Sequence, residues 1–193
     1  QSNLKRLLAY SAVAQAGYLL IGVAAGSVRG AEAVLYYLIA YLAMTLAAFA
    51  IVMVREREVE YGDHVSAYTG YGRRRPVLGA VMTLSMLSLA GFPPLSGFVG
   101  KFLLFGSAVE ADLTWLAIVG AVGSVISLGY YLRVATVLWL TEPDTAGGRK
   151  HLRVPTSVGS VALLSGTAVV GLALAASLVL EVCRGAAEAL LAP

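Results

Sequence analysis

Lys101 is the only ionisable residue in the apolar stretch from Pro76 to Val109. An ammonium group at the centre of an inserted helix costs about 2.5–3.5 kcal/mol, so such lysines face the protein interior and tend to mark functional positions. The chemistry open to a buried lysine is to gain and lose a proton. Four residues before it ends the segment Gly91-Phe92-Pro93-Pro94-Leu95-Ser96-Gly97. Proline lacks an N–H, clashes with the preceding turn and forces the residue before it out of the α region. Two prolines between two glycines therefore break a helix instead of kinking it. With Ser96 as the expected cap of the second half, Lys101 lies near that half's positive end, where the ammonium is disfavoured. The negative end of the first half, near Ala90, favours it. A lysine between opposing influences is a proton relay in waiting. Arg133, the other cation inside an apolar run, cannot act this way, because a guanidinium keeps its proton. It reads as a structural anchor or a side chain snorkelling to an interface, with electrostatic tuning of Lys101 or of a neighbouring subunit as the alternative.

Polar residues recur around these two at helical spacing. Ser11, Gln15, Tyr18 and Gly22 share one face, as do Tyr37, Tyr41 and Thr45, and Gly120, Ser124, Ser127 and Tyr131. Small and hydroxyl residues at this spacing let membrane helices approach and hydrogen-bond. They would equally line a hydrated path, which makes Gln15, Tyr37, Tyr41, Ser124, Ser127 and Tyr131 candidates for conducting or tuning. Nothing points to a bound cofactor or metal. One cysteine, Cys183, makes neither a disulfide nor a thiolate site, and the two histidines, His64 and His151, sit in charged loops. There is no phosphate-binding loop and no pair of haem ligands.

The elements that must position these groups follow from composition. AVILMFWYC supply 59% of 193 residues and charged residues only 13%, with mean hydropathy +0.80. A soluble domain carries about 25% charge, so a soluble enzyme is excluded, and disorder needs the opposite composition. The net charge of +3 reflects loop topology and not nucleic-acid binding. The reading is an all-α polytopic transmembrane bundle of five spans, near 7–28, 31–54, 76–109, 113–140 and 154–180. A straight helix over 76–109 would run roughly 50 Å against a hydrocarbon core of about 30 Å, so the third span must be discontinuous, broken at 91–97.

Loop charge sets the orientation. If 76–109 crosses once, one side holds Lys5, Arg6, Arg55, Arg57, Arg73, Arg74, Arg75, Arg149, Lys150 and Arg153, and the other only Arg29 and Arg184. Positive loops stay cytoplasmic. The 55–75 and 141–153 loops are thus expected inside and the C-terminus outside. Two crossings would blunt that asymmetry. The opening residues, Gln1 to Arg6, are too few for a signal peptide, and the chain reads as a piece entering mid-protein.

The motifs Leu4-Lys5-Arg6-Leu7-Leu8-Ala9-Tyr10-Ser11 and Gln15-Ala16-Gly17-Tyr18, with Leu87 through Phe102 and its broken helix and lysine, resemble the proton-conducting antiporter-like membrane subunits. The resemblance is strongest toward the N chains of bacterial NADH–quinone oxidoreductase, respiratory complex I, and extends to multisubunit cation/proton antiporters. It implies the C-terminal portion of a larger subunit. Residues 1–140 would form part of the second antiporter-like repeat, and 141–193 a cytoplasmic loop and a terminal transmembrane helix. Lys101 would be that repeat's proton-channel lysine. Ala12 and Gln15 stand where relatives often carry Ser and His. The implied function is proton translocation in the bacterial inner membrane, as a subunit of a translocating enzyme. Its partners would be other complex I membrane subunits, lipid, protons and water. NADH, FMN, iron–sulfur clusters and quinone would bind elsewhere in the complex. The rival readings are a subunit of a cation/proton antiporter and a purely structural membrane scaffold.

Overall fold

The computed structural model describes residues 1–140 and 155–191, and every regular element among them is a helix. Helix α1 (Leu4–Ala24) starts where the Asn3 side chain accepts from the Arg6 N–H. A three-residue turn leads to α2 (Val28–Glu58), capped by the Ser27 hydroxyl on the Gly30 N–H. Helix α2 is the axle of the fold. It packs against α1 and the later helices α4, α5, α7 and α8, through a face rich in buried alanines (Ala33, Ala40, Ala43, Ala47, Ala48). Small residues allow close helix approach where lipid gives no hydrophobic drive.

Helix α2 outruns the expected 31–54 by a turn. It carries Arg55 into the interior, where a buried ion pair with Glu58 at 3.0 Å and the Ala67 carbonyl, 2.8 Å from Nε, satisfy it. The connection beyond holds a 3₁₀ turn (Val65–Tyr68) and the short helix α3 (Tyr71–Arg74). Leu4 donates to the Asp63 carbonyl at 2.6 Å, Val65 to Ser2 at 2.8 Å and Gly70 to Val137 at 3.1 Å. This loop is sewn onto one end of the bundle.

Helix α4 (Pro76–Ala90) begins with proline at its first position, where the missing N–H costs nothing. Helix α5 (Ser96–Glu110) follows after a five-residue break. Then come α6 (Thr114–Trp139), close to the expected 113–140, and α7 (Thr156–Leu174). The terminal helix was expected to run from 154 to 180. Instead α7 closes at Leu174 and α8 (Ala176–Leu191) follows after Ala175. No proline or glycine marks that joint, so apolar composition alone runs straight across it. Helices α1, α2, α6 and α7 are long and apolar enough to cross a membrane. At 15 residues each, α4 and α5 reach only about 22 Å apiece. Many large apolar side chains lie exposed, among them Leu20, Val125, Ile126 and Leu164, as a lipid-facing surface requires. The expected loop over 141–153, with Arg149, Lys150, His151 and Arg153, lies outside the described residues.

Candidate functional site

The site grows from the way α4 ends. Gly91 takes a left-handed conformation at φ 87°, which glycine adopts without steric cost. That turn lets Gly91 donate to the Ser88 carbonyl and Phe92 to the Leu87 carbonyl, both at 2.9 Å. This is the Schellman closure. It leaves two of the last four helix carbonyls, Leu89 and Ala90, without backbone partners. The break continues through a cis peptide between Pro93 and Pro94.

Ser96 does not cap α5 as expected; it is the first helical residue, after Leu95. The capping group comes from the other half-helix, since the Ser88 hydroxyl accepts from the Gly97 N–H at 3.0 Å. A Cβ on Gly97 would meet the Ser88 carbonyl oxygen at 1.9 Å, so only glycine lets the two half-helices overlap this closely.

One turn into α5, Lys101 is 3% exposed and reaches back across the break. Its ammonium donates to the Leu89 carbonyl at 2.8 Å, the Ala90 carbonyl at 3.2 Å and the Ser124 hydroxyl at 3.0 Å. The Tyr18 ring lies 4.6 Å from the same nitrogen. All three ammonium donors are thus used, on groups of no formal charge. Among the described residues no carboxylate pairs with it. What holds the cation is the negative end of the α4 dipole and an aromatic face.

The polar stripes converge here. Gln15, fully buried, donates to the same Leu89 carbonyl at 3.3 Å and to the Tyr131 hydroxyl at 3.0 Å, while its oxygen accepts from Tyr37. Tyr131 is also hydrogen-bonded to Ser11. Ser124 donates to the Ala90 carbonyl at 3.2 Å, and Ser127 donates to the Ser124 carbonyl at 2.7 Å. The structure therefore brings Ser124 to Lys101, Gln15 and Ser127 to its direct partners, and Tyr37 and Tyr131 one step further out, onto Gln15. Tyr41 is half-buried. Arg133 lies apart. It is exposed, and its guanidinium meets the Gln1 carbonyl at 3.5 Å. Sequence reading placed the favourable helix end near Ala90 but did not single out the Leu89 and Ala90 carbonyls as the acceptors, and it missed Ser88. A backbone acceptor has no letter, and only the Gly91 closure signals that those carbonyls are left over. No cluster of three or more metal-binding side chains occurs among the described residues.

Comparisons with known proteins bear on the same residues. Residues 1–127 match the family model described as NADH:quinone oxidoreductase/Mrp antiporter, TM. The NADH-quinone oxidoreductase subunit N of Salinibacter ruber is 43% identical over 172 residues, 88% of this chain and 34% of that protein. Its counterpart in Hirschia baltica is 46% identical over 144 residues, 75% of this chain and 30% of that protein. The chain spans about a third of the length of these curated relatives. In structure it is similar to a chain of respiratory complex I from Thermus thermophilus, at TM-score 0.78 and 32% identity, covering 94% of this chain and 40% of that one. A chain of the Mrp complex from Dietzia gives TM-score 0.86 at 25% identity, covering 97% and 43%.

Proposed function

The chain belongs to the NADH:quinone oxidoreductase/Mrp antiporter transmembrane family, and on that premise we propose that it is part of a proton-translocating membrane subunit of a bacterial NADH–quinone oxidoreductase. The observation that carries this reading is a buried lysine whose ammonium meets only neutral partners. A carboxylate partner would hold the charge. Carbonyls and a hydroxyl satisfy the ammonium but hold its charge less strongly than a carboxylate would, so Lys101 can serve as a site that loads and unloads a proton. In this reading α4 and α5 together make one discontinuous crossing, as broken helices do around ion sites in transporters. The 55–75 and 141–153 loops face the cytoplasm, and the C-terminus lies outside. No redox group binds this chain. Electron transfer from NADH to quinone occurs in other subunits of the assembly, and its energy reaches Lys101 through neighbouring membrane subunits. Replacing Lys101 with Ala in the assembled complex is expected to lower NADH-driven proton uptake into proteoliposomes. Unchanged stoichiometry and rate would overturn the assignment.

A second reading, a subunit of a cation/proton antiporter, is supported by the similarity to the Mrp complex chain. Purification distinguishes the two, because flavin and iron–sulfur subunits accompany only the oxidoreductase.

A further inference from the structure

A hydrogen-bonded group passes a proton on only if it can accept one on one side and release one on the other. Of the three partners of the Lys101 ammonium, the Leu89 and Ala90 carbonyls accept but have nothing to release. The Ser124 hydroxyl can do both. Beyond the Leu89 carbonyl stands Gln15, whose amide nitrogen is bonded to Leu89 and Tyr131 and whose oxygen is taken by Tyr37. A carboxamide does not titrate at neutral pH. Along this side the hydroxyls of Tyr131, Ser11 and Tyr37 thus reach Lys101 only through two successive groups that cannot relay.

The Ser124 side opens differently. The Tyr18 ring lies against the Lys101 ammonium at 4.6 Å, and its hydroxyl points to α6 next to Ser124, 3.6 Å from where a Cβ on Gly123 would sit. Ser127 and Gly123, on either side of Ser124 along α6, line a cavity of about 360 Å³ between α1 and α6 that also meets Ala14, Tyr130 and Arg133. At about 30 Å³ per molecule in the liquid, that space has room for several waters, held at its polar lining groups Ser127, Tyr130 and Arg133 and not along Leu7 and Ile126.

From this asymmetry we infer that Ser124 is the relay residue through which Lys101 exchanges its proton with water in the α1–α6 cavity, and that Gln15 insulates the lysine from the hydroxyl chain behind it. The inference rests on the proton-translocating role proposed for Lys101. In the transfer, an Nζ–H bond breaks as the Ser124 oxygen takes that proton. The hydroxyl proton of Ser124, turned away from the Ala90 carbonyl, passes to the oxygen of Tyr18 or Ser127. That group in turn releases its own proton to a cavity water. Serine and tyrosine end neutral, and the net change is one proton moved from the lysine to water.

The test uses the full-length subunit in the assembled complex, reconstituted into proteoliposomes, with NADH-driven proton uptake and its solvent isotope effect as readouts. Ser124→Ala is expected to slow uptake about a hundredfold, the low side of what a positioned proton-transfer group contributes, and Ser124→Thr to restore most of it. Ala14→Phe, which fills the cavity without touching the lysine, is expected to slow uptake as well. Ser107→Ala is the control, since this buried serine donates only to Leu104 within α5. Wild-type uptake in Ser124→Ala or in Ala14→Phe, alongside a failing Lys101→Ala, overturns the relay alone. Wild-type uptake in Lys101→Ala overturns the underlying reading.

Discussion

Two cations are buried among the described residues, and they are held in opposite ways. Arg55, at the end of α2, is 3% exposed. It is bonded to the Glu58 carboxylate and the Ala67 carbonyl and stacked 4.9 Å over the Tyr71 ring. Glu58 is shared with Arg75 at 3.1 Å. Lys101 is equally buried but has carbonyls, one hydroxyl and a ring, and no countercharge among the described residues. The arginine cannot lose its proton and its charge is neutralised in place. The lysine can lose its proton, and among the described residues only uncharged groups hold it. The first arrangement fastens a loop, and the second leaves a titratable group poised. Burial alone would not have told them apart; the partners do.

If the contrast is right, the two sites should break differently. Glu58→Leu strands a buried guanidinium, and removing one partner of a buried pair costs about 3–5 kcal/mol. The thermal midpoint of the full-length subunit in detergent should fall sharply. The double replacement Arg55→Met with Glu58→Leu should recover most of the loss, because a well-packed apolar pair is often no worse than an ion pair. An equal loss in the single and double variants would mean that the cluster is not held by its charge balance. Gln15→Leu comes next. It removes two donors and one acceptor from buried partners, at about 1–3 kcal/mol, read in the same thermal measurement. A loss as large as that of Glu58→Leu would erase the distinction between the two sites.

Much of the lysine site was legible because its devices have letters. Gly91, Pro93, Pro94 and Gly97 announce the break, Lys101 is alone in its run, and the helical spacing of Ser11, Gln15 and Tyr18 and of Ser124, Ser127 and Tyr131 put those residues on facing stripes. The arginine site was not legible. Arg55 reads as one more positive loop residue, and only the folding back of residues 59–75 onto α1, α2 and α6 buries it. Charge patterning predicts where a cation prefers to be. It does not predict where tertiary closure puts it. The joint between α7 and α8 escaped for a related reason, since Ala175 ends a helix by geometry and not by composition.

A smaller effect sharpens the comparison from the lysine side. Lys101→Met should shift stability by no more than about 1 kcal/mol, since an apolar chain of similar length replaces a group with no ion pair to lose. Gln15 and Ser124 still cover the Leu89 and Ala90 carbonyls. Proton uptake should nonetheless fall with it. A large stability loss in Lys101→Met would place the lysine in the same class as Arg55, a structural cation.

The smallest effect belongs to the arginine site and tests whether its aromatic rim is structural. Tyr68 and Tyr71 pack edge to face at 6.0 Å, and their buried hydroxyls have no hydrogen-bond partner among the described residues. Burial, opposed only in part by Arg55, pushes both phenols above their ordinary range. An unpartnered buried hydroxyl gives up its water without recompense, so Tyr68→Phe should leave the subunit as stable at neutral pH or stabilise it by up to about 1 kcal/mol. The sign at high pH follows from linkage. Unfolded tyrosine ionises near pH 10, while the folded phenol stays neutral. The stabilisation is therefore complete below pH 10 and is lost as pH rises from there toward the folded value, at up to about 1.4 kcal/mol per pH unit for each such group. Removing the Tyr68 hydroxyl should flatten that alkaline decline by one group's share, measured as thermal midpoint against pH from 9 to 11. A decline identical in Tyr68→Phe and wild type would mean that the hydroxyl reaches solvent or a partner, and that the rim beside Arg55 is wet.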